Sequence, residues 1–456
     1  MSTEYERLKQ LDHRYIWHPF TQQKHWTECE QPLIVDRAEG FELIDVDGKS
    51  YLDGVSSLWC NVHGHTEPEL MAALSDQAGK LCHSTLLGLT HRPVIELSEK
   101  LISLVPKGLS KIFYADAGTT AVEAGLRIAL EWWQKQGGTA SKQKKKLLSL
   151  GGAYHGDTVG SVTVGFLPAF HGSIEPILVP ALRTPPPHMF RFYDGLSEAD
   201  ALTASIEQLD QLLQKEADSI AAFFMEPLVQ GAAGIWVQPP EFMKAARELC
   251  RKHDVLFLAD EVATGFGKTG TLFAVEQGQI SPDIMIVGKG LSAGYLPISA
   301  AIATQELYDG FLGGVEEGKT FFYGQTFAGN PLAARVASAN LELIEKRDVV
   351  GGLAARIETM TSALREKIEP LGCVDEVRQC GLMVGIELTK RPGERCPFLP
   401  EELAGWRVIY EARKRGVVIR PLGNVIILMP AVTMPLNDIE RLVDVTADSL
   451  KAVLEN

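Results

Sequence analysis

No stretch of this 456-residue chain approaches the roughly 18 consecutive apolar residues that a membrane-spanning helix needs. The opening MSTEYERLKQLDHRYIW is polar and charged and lacks the apolar centre of a secretory leader. Positive charge is in deficit: 44 Lys and Arg stand against 58 Asp and Glu, for a net charge of −14. That balance argues against nucleic acid or an anionic membrane surface as the main partner. Cysteine is sparse and unsuited to a framework. The seven residues (Cys29, Cys60, Cys82, Cys250, Cys373, Cys380 and Cys396) are odd in number and never at CxxC spacing, so they read as reduced thiols in a cytosol. Internal repeats and low-complexity segments are also missing. The expectation is a cytoplasmic globular protein, with 45% hydrophobic residues and enough length to bury a large core.

Three regions differ in pattern. Residues 1–60 read as short strand-like pieces after the irregular HPFTQ (18–22), with Asp47-Gly48 as a hairpin turn. From Pro68 onward helices alternate with apolar strands at 112–115, 146–150, 221–226, 255–260, 284–288 and 298–303, and a crossover helix is expected over 241–252. This is the α/β signature of a mostly parallel sheet. After about residue 331 come helices at 332–346 and 353–368, short strands in LMVGIEL, VVIRPL and VIILM, and a last helix over 437–453. The expected organisation is a large domain over 61–328 and a small α+β domain assembled from both chain ends, 1–60 and 329–456. The basic cluster at 142–146 reads as a solvated loop.

The chemistry concentrates in DIMIVGKGLSAG (283–294), where a short apolar run delivers Lys289 between Gly288 and Gly290. A lysine at the mouth of a buried strand loses hydration, its pKa falls, and the neutral amine becomes a nucleophile toward an aldehyde. Asp260 closes the apolar strand VLFLAD, and a carboxylate carried inward needs a cationic partner, for which a protonated pyridine nitrogen would serve. After the strand at 112–115, Gly118, Thr119 and Thr120 open a helix whose free N–H groups and dipole suit a phosphate, although Thr119 reads equally well as a plain N-cap. Tyr154 and His155 in GGAYHGD follow the next strand, where an aromatic ring could stack on a planar group. Amine, carboxylate and helix N-terminus are the three handles of pyridoxal phosphate.

Two other motifs lose on context. GFGKTG (265–270) matches GxGxxG and the end of a P-loop. However, Val262 stands where a P-loop needs glycine, and the following segment is too short for a dinucleotide-binding crossover helix. His63 and His65 in VSSLWCNVHGH have no third ligand at suitable spacing, so no metal site is expected.

With these residues assembled, the chain resembles the class III, fold type I pyridoxal-phosphate-dependent aminotransferases over nearly its whole length, most specifically in ADEVATGFGKTG followed by PDIMIVGKG. The resemblance implies that Lys289 carries the cofactor, Asp260 pairs with its ring nitrogen, Gly118 and Thr119 hold its phosphate and Tyr154 stacks on its ring. Glu226 and Gln230 would lie near it. Gly324, Gln325 and Thr326 in YGQTFAGNP look like the segment that reaches the neighbouring subunit's cofactor, Thr326 contacting the phosphate, which implies a homodimer.

Within that family, HPFTQ, DGVSSLWCNVHGH, LGLTHRP, YHGDT and IRPLGNVIILMP are most similar to members that aminate 8-amino-7-oxononanoate in biotin synthesis. The implied substrate pocket includes Phe20, Leu58, Trp59, Tyr154, Lys289 and Gly324, with Arg420 as the cation for the acceptor's distant carboxylate. Leu428 and Met429 occupy the place where relatives that use 2-oxoglutarate carry an arginine, which argues against glutamate as donor. S-adenosylmethionine is the expected donor. Lysine is the alternative, because Phe20 and Leu58 replace a tyrosine and a tryptophan that would favour a sulfonium. A generic ω-amino-acid aminotransferase, a mutase of the glutamate semialdehyde type and a cofactor-binding regulatory protein are the other readings.

Overall fold

The computed structural model describes residues 2–455. At its centre is a seven-stranded sheet of Leu109–Ala115 (β1), Lys146–Leu150 (β2), Leu182–Thr184 (β3), Ile220–Met225 (β4), Leu256–Asp260 (β5), Ile284–Val287 (β6) and Ser299–Thr304 (β7). Their spatial order is β1-β7-β6-β5-β4-β2-β3. β7 is antiparallel to both its neighbours, while the pairs β6/β5, β5/β4, β4/β2 and β2/β3 are parallel. Strands covered on both faces should be continuously apolar, and all six residues of β4 and all four of β6 are buried. Six strands lie where the apolar runs predict them. β3 escapes prediction because LRT is a three-residue edge strand with an exposed arginine and no pattern of its own.

One face of the sheet is covered by the helix Gly118–Lys135, whose buried residues Ala121, Val122, Gly125, Leu126, Ile128, Ala129, Trp132 and Trp133 recur at helical spacing. The crossover helix forms over Pro240–Lys252 between β4 and β5. The basic cluster is not simply a solvated loop. Lys144 is buried, its ammonium bonded to the carbonyls of Ala217 and Asp254 and lying 4.5 Å from the centre of the Trp133 ring. Carbonyl oxygens and an aromatic face replace the water that lysine would otherwise keep.

The two chain ends meet in one sheet. Val35–Glu39, Glu42–Asp45 and Ser50–Asp53 form an antiparallel meander, with Gly48 at φ +85° in the expected turn, and Val417–Val418 pairs in parallel with Ser50–Asp53. The segment read as one strand, VVIRPL, divides at Ile419: Arg420–Leu422 turns into a second sheet with Val425–Leu428, Met383–Leu388 and Val374–Cys380. Val374–Cys380 is charged along its length and gave no apolar signal. Its Arg378 is nevertheless buried, donating to the Gly234 carbonyl at 2.8 Å and pairing with Glu387 at 2.8 Å, which ties this sheet to the loop after β4.

Candidate active site

The residues singled out in sequence follow the carboxyl ends of parallel strands, where an open α/β sheet places its ligands. Asp260 is the last residue of β5 and lies level with Ile286 of β6; Lys289 follows three residues later at the start of a short 3₁₀ turn. Lys289 has φ +41°, a left-handed conformation that costs a residue with a Cβ roughly 1–3 kcal/mol and persists only where the surroundings impose it. Three residues of the turn that follows the strand Ser50–Asp53 share this strain: Ser56, Ser57 and Trp59 at φ +44°, +62° and +65°. Strained lysine and strained loop face one another, with the Lys289 ammonium 4.7 Å from the centre of the Trp59 ring.

Burial lowers the pKa of Lys289, and the charge of Asp260 opposes this only in part. The amine is therefore closer to its neutral, nucleophilic form than a lysine in water. The Asp260 carboxylate accepts the Val262 amide at 3.0 Å on one oxygen and meets His155 Nδ1 at 2.7 Å with the other. Burial disfavours a charged His155 ring. The hydrogen bond and charge of Asp260, with Glu226 beyond, outweigh that burial and raise its pKa. Sequence reasoning favoured Tyr154 at this turn and gave no role to His155, since nothing in GGAYHGD says which ring reaches Asp260. Glu226 accepts the amides of Tyr154 and Gly231, both at 3.0 Å, and burial pushes its carboxyl up to about 7. Gln230 donates to the Gly151 carbonyl at 2.9 Å, so it holds the start of the same turn.

The phosphate candidate has the expected form. A Cβ on Gly118 would lie 2.8 Å from Val262 Cγ1, and one on Gly288 would lie 3.5 Å from the same methyl and 3.6 Å from Gly118 Cα. Helix start, Asp260 turn and lysine strand thus converge on Val262; the approach at Gly118 leaves no room for a Cβ, whereas the one at Gly288 is ordinary van der Waals contact. The first-turn amides at Gly118 and Thr119 have no acceptor within their helix. The Thr119 hydroxyl is already engaged by Thr158 Oγ1 and Ser161 Oγ, each at 2.9 Å, so its part in anion binding falls to the main chain.

The remaining candidates have these surroundings. Tyr154 donates to Asp157 at 2.6 Å. Phe20 and Leu58 are exposed, and Phe20 packs edge-on against Phe170. Gly324 and Thr326 are exposed, and among the described residues the Thr326 side chain makes no hydrogen bond and Gln325 Oε1 is buried without a partner. Arg420 is exposed and forms no ion pair among the described residues. His65 pairs with Asp53 at 3.1 Å, and burial, helped by the charge of Arg347, lowers His63 to about 4. Lys268 of GFGKTG is fully enclosed, bonded to Ser56 Oγ at 2.7 Å and the Pro430 carbonyl at 2.9 Å. It fastens the Trp59 loop and does not face a phosphate, a role that its motif could not disclose.

Residues 25–450 match the model of the family "Aminotransferase class-III". The chain belongs to the class-III aminotransferases. It is 44% identical over 449 residues, 98% of each chain, to the adenosylmethionine-8-amino-7-oxononanoate aminotransferase of Geobacter sulfurreducens. It is 43% identical to that of Aquifex aeolicus, over 97% of this chain and 96% of the relative. The crystal structure of the Methanocaldococcus jannaschii enzyme of the same name superposes with a TM-score of 0.92 at 37% identity, covering 98% of this chain and 99% of that one. An omega transaminase from Pseudomonas jessenii in complex with PMP superposes at 0.91 with 31% identity, over 98% and 99% of the two chains. The fold is therefore the α/β fold type I, and the cofactor of this class-III aminotransferase is pyridoxal phosphate. The site fits that group: a desolvated amine, a carboxylate held by His155 Nδ1 and the Val262 amide, and a helix N-terminus cleared by Gly118 come together around Val262.

Proposed function

We propose that this aminotransferase converts 8-amino-7-oxononanoate to 7,8-diaminononanoate in biotin synthesis, with S-adenosylmethionine as amino donor. What carries the reading is the meeting of Lys289, Asp260 and the Gly118 helix at Val262 in a chain 43–44% identical, nearly end to end, to relatives named for that reaction. When bound, pyridoxal phosphate supplies an aldehyde for amines and a ring that withdraws electrons from the substrate carbon. Lys289 Nζ takes the proton from the donor's Cα and delivers it on the far side of the C–N bond, then reverses these roles with the acceptor. Asp260, held by His155 and the Val262 amide, would supply the carboxylate that pairs with the ring nitrogen. The N–H groups of Gly118 and Thr119 hold the phosphate, and Thr326 of a second copy completes that site in a cytoplasmic homodimer. Trp59, Leu58, Phe20, Tyr154 and Gly324 bound the substrate space, and Arg420 binds the acceptor carboxylate.

Lysine is the second donor reading. It is favoured by the exposed apolar side chains of Phe20 and Leu58, which give a sulfonium fewer polar and aromatic contacts. A single-turnover titration of the holoenzyme's visible band with each amine decides between them. S-adenosylmethionine alone should discharge the band. Discharge by lysine alone would replace the donor, and discharge by neither would favour a generic ω-amino-acid aminotransferase.

A further inference from the structure

Tyr154 is anchored twice. Its main-chain N–H donates to Glu226, which fixes the backbone, so the ring direction is left to whatever holds the side chain. The hydroxyl donates to Asp157 Oδ2 at 2.6 Å. Burial first, and then that bond with the charge of Asp157, raise the hydroxyl's pKa, so it remains a donor throughout the working range. The Asp157 side chain is itself about half exposed, and an exposed carboxylate on a turn would swing freely without a second tether.

That tether is His171, buried at the end of the short helix Pro168–His171. Its Nδ1 accepts the Leu167 amide at 3.0 Å, which places the ring proton on Nε2, and Nε2 stands 3.2 Å from Asp157 Oδ1 as donor. The same imidazole lies nearly parallel to the Tyr154 ring, with centroids 6.0 Å apart and 15° between the planes. One side chain therefore sets the tyrosine twice, through its ring face and through Asp157. The preceding residue, Phe170, meets Phe20 edge-on at 5.4 Å, so this turn also joins HPFTQ to Tyr154.

We infer that His171 is a positioning residue that fixes the Tyr154 ring against the cofactor through Asp157. The inference rests on the cofactor-facing role proposed for Tyr154, and its readouts need neither amino donor nor acceptor. His171→Phe keeps a ring of similar size and removes both hydrogen bonds; His171→Gln restores an N–H donor. In holoenzyme, His171→Phe should raise the dissociation constant of pyridoxal phosphate about fivefold, the effect of one lost hydrogen bond, and weaken the visible circular dichroism of the bound cofactor. His171→Gln should recover most of both signals. On a Tyr154→Phe background, His171→Phe should add nothing, because the path through the hydroxyl is already cut. Asp157→Asn, at a half-exposed position with little packing to disturb, should reproduce the His171→Phe signals even if the latter variant folds poorly. A fall in melting temperature with cofactor affinity and dichroism unchanged would overturn the inference, as would additive effects in the double variant. Wild-type protein with no visible band would instead count against the cofactor reading itself.

Discussion

Lys289 and Glu261 show how burial acts on single groups in opposite senses. At Lys289 it favours the neutral amine, and Lys289→Ala should lower turnover by roughly three orders of magnitude or more and abolish the visible band of bound cofactor, measured by steady-state assay and absorption. Glu261, adjacent to Asp260 but fully enclosed, accepts from Thr264 at 2.5 Å and Val275 N at 2.8 Å, and burial pushes its carboxyl up to about 7. A pKa raised on folding means that the stabilisation is complete below the unfolded value of 4.5 and is lost as pH climbs through about 7. Glutamine keeps the neutral form at every pH. Glu261→Gln should therefore gain on wild type by up to about 3 kcal/mol between pH 4.5 and pH 8. Unfolding at both pH values measures the gain, and a constant difference would refute it. Arg420→Ala should weaken acceptor binding by about tenfold or more while sparing the donor half-reaction; equal losses in both half-reactions would remove Arg420 from the carboxylate site.

At the scale of elements, the site depends on how closely the helix Gly118–Lys135 approaches the turn after β5. Alanine at 118 would set its Cβ 2.8 Å from Val262 Cγ1, and the helix start would have to retreat from the lysine strand. Overpacking of this kind costs about 1–3 kcal/mol. Gly118→Ala should therefore weaken cofactor binding by roughly an order of magnitude, and Val262→Ala in the same chain should restore much of it. Failure of that rescue, measured by cofactor titration, would mean that the glycine serves something other than this contact. The glycine was legible in the sequence as a helix start after a strand. Its reason was not, because Val262 lies 144 residues further on and meets it only once β1, β5 and β6 share a sheet.

The whole molecule carries a surface that one chain leaves uncovered. Leu87 and Leu89 are 88% and 62% exposed, and Phe322 and Phe327 are 78% and 58% exposed. Their two loops adjoin, with the Phe327 ring 4.8 Å from His83 and Asn330 donating to the Cys82 carbonyl. Thr326 lies on the same loop. Exposed apolar side chains on two adjoining loops fit the second copy of the chain proposed above. If two copies pair here as proposed, Phe322→Glu should shift the protein toward monomer in sedimentation and reduce cofactor retention, since the proposed reach of Thr326 to a neighbour's phosphate site would be lost. A dimer undisturbed by the charge would place the interface elsewhere.

The sequence by itself determined the elements whose periods are local: the buried strands, the helices between them, the Asp47-Gly48 turn, and the arrival of Lys289, Asp260 and Gly118 at strand ends. These follow from alternation, apolar runs and turn chemistry, which act over a few residues. Tertiary structure alone decided which ring pairs with Asp260, that Lys144 and Arg378 find carbonyls and carboxylates enough to be buried, that Lys268 fastens the Trp59 loop, and that VVIRPL changes sheets at Ile419. Each of these depends on partners far along the chain, and the free energy of a buried polar group is set by the neighbours that satisfy it, which no local pattern of residues specifies.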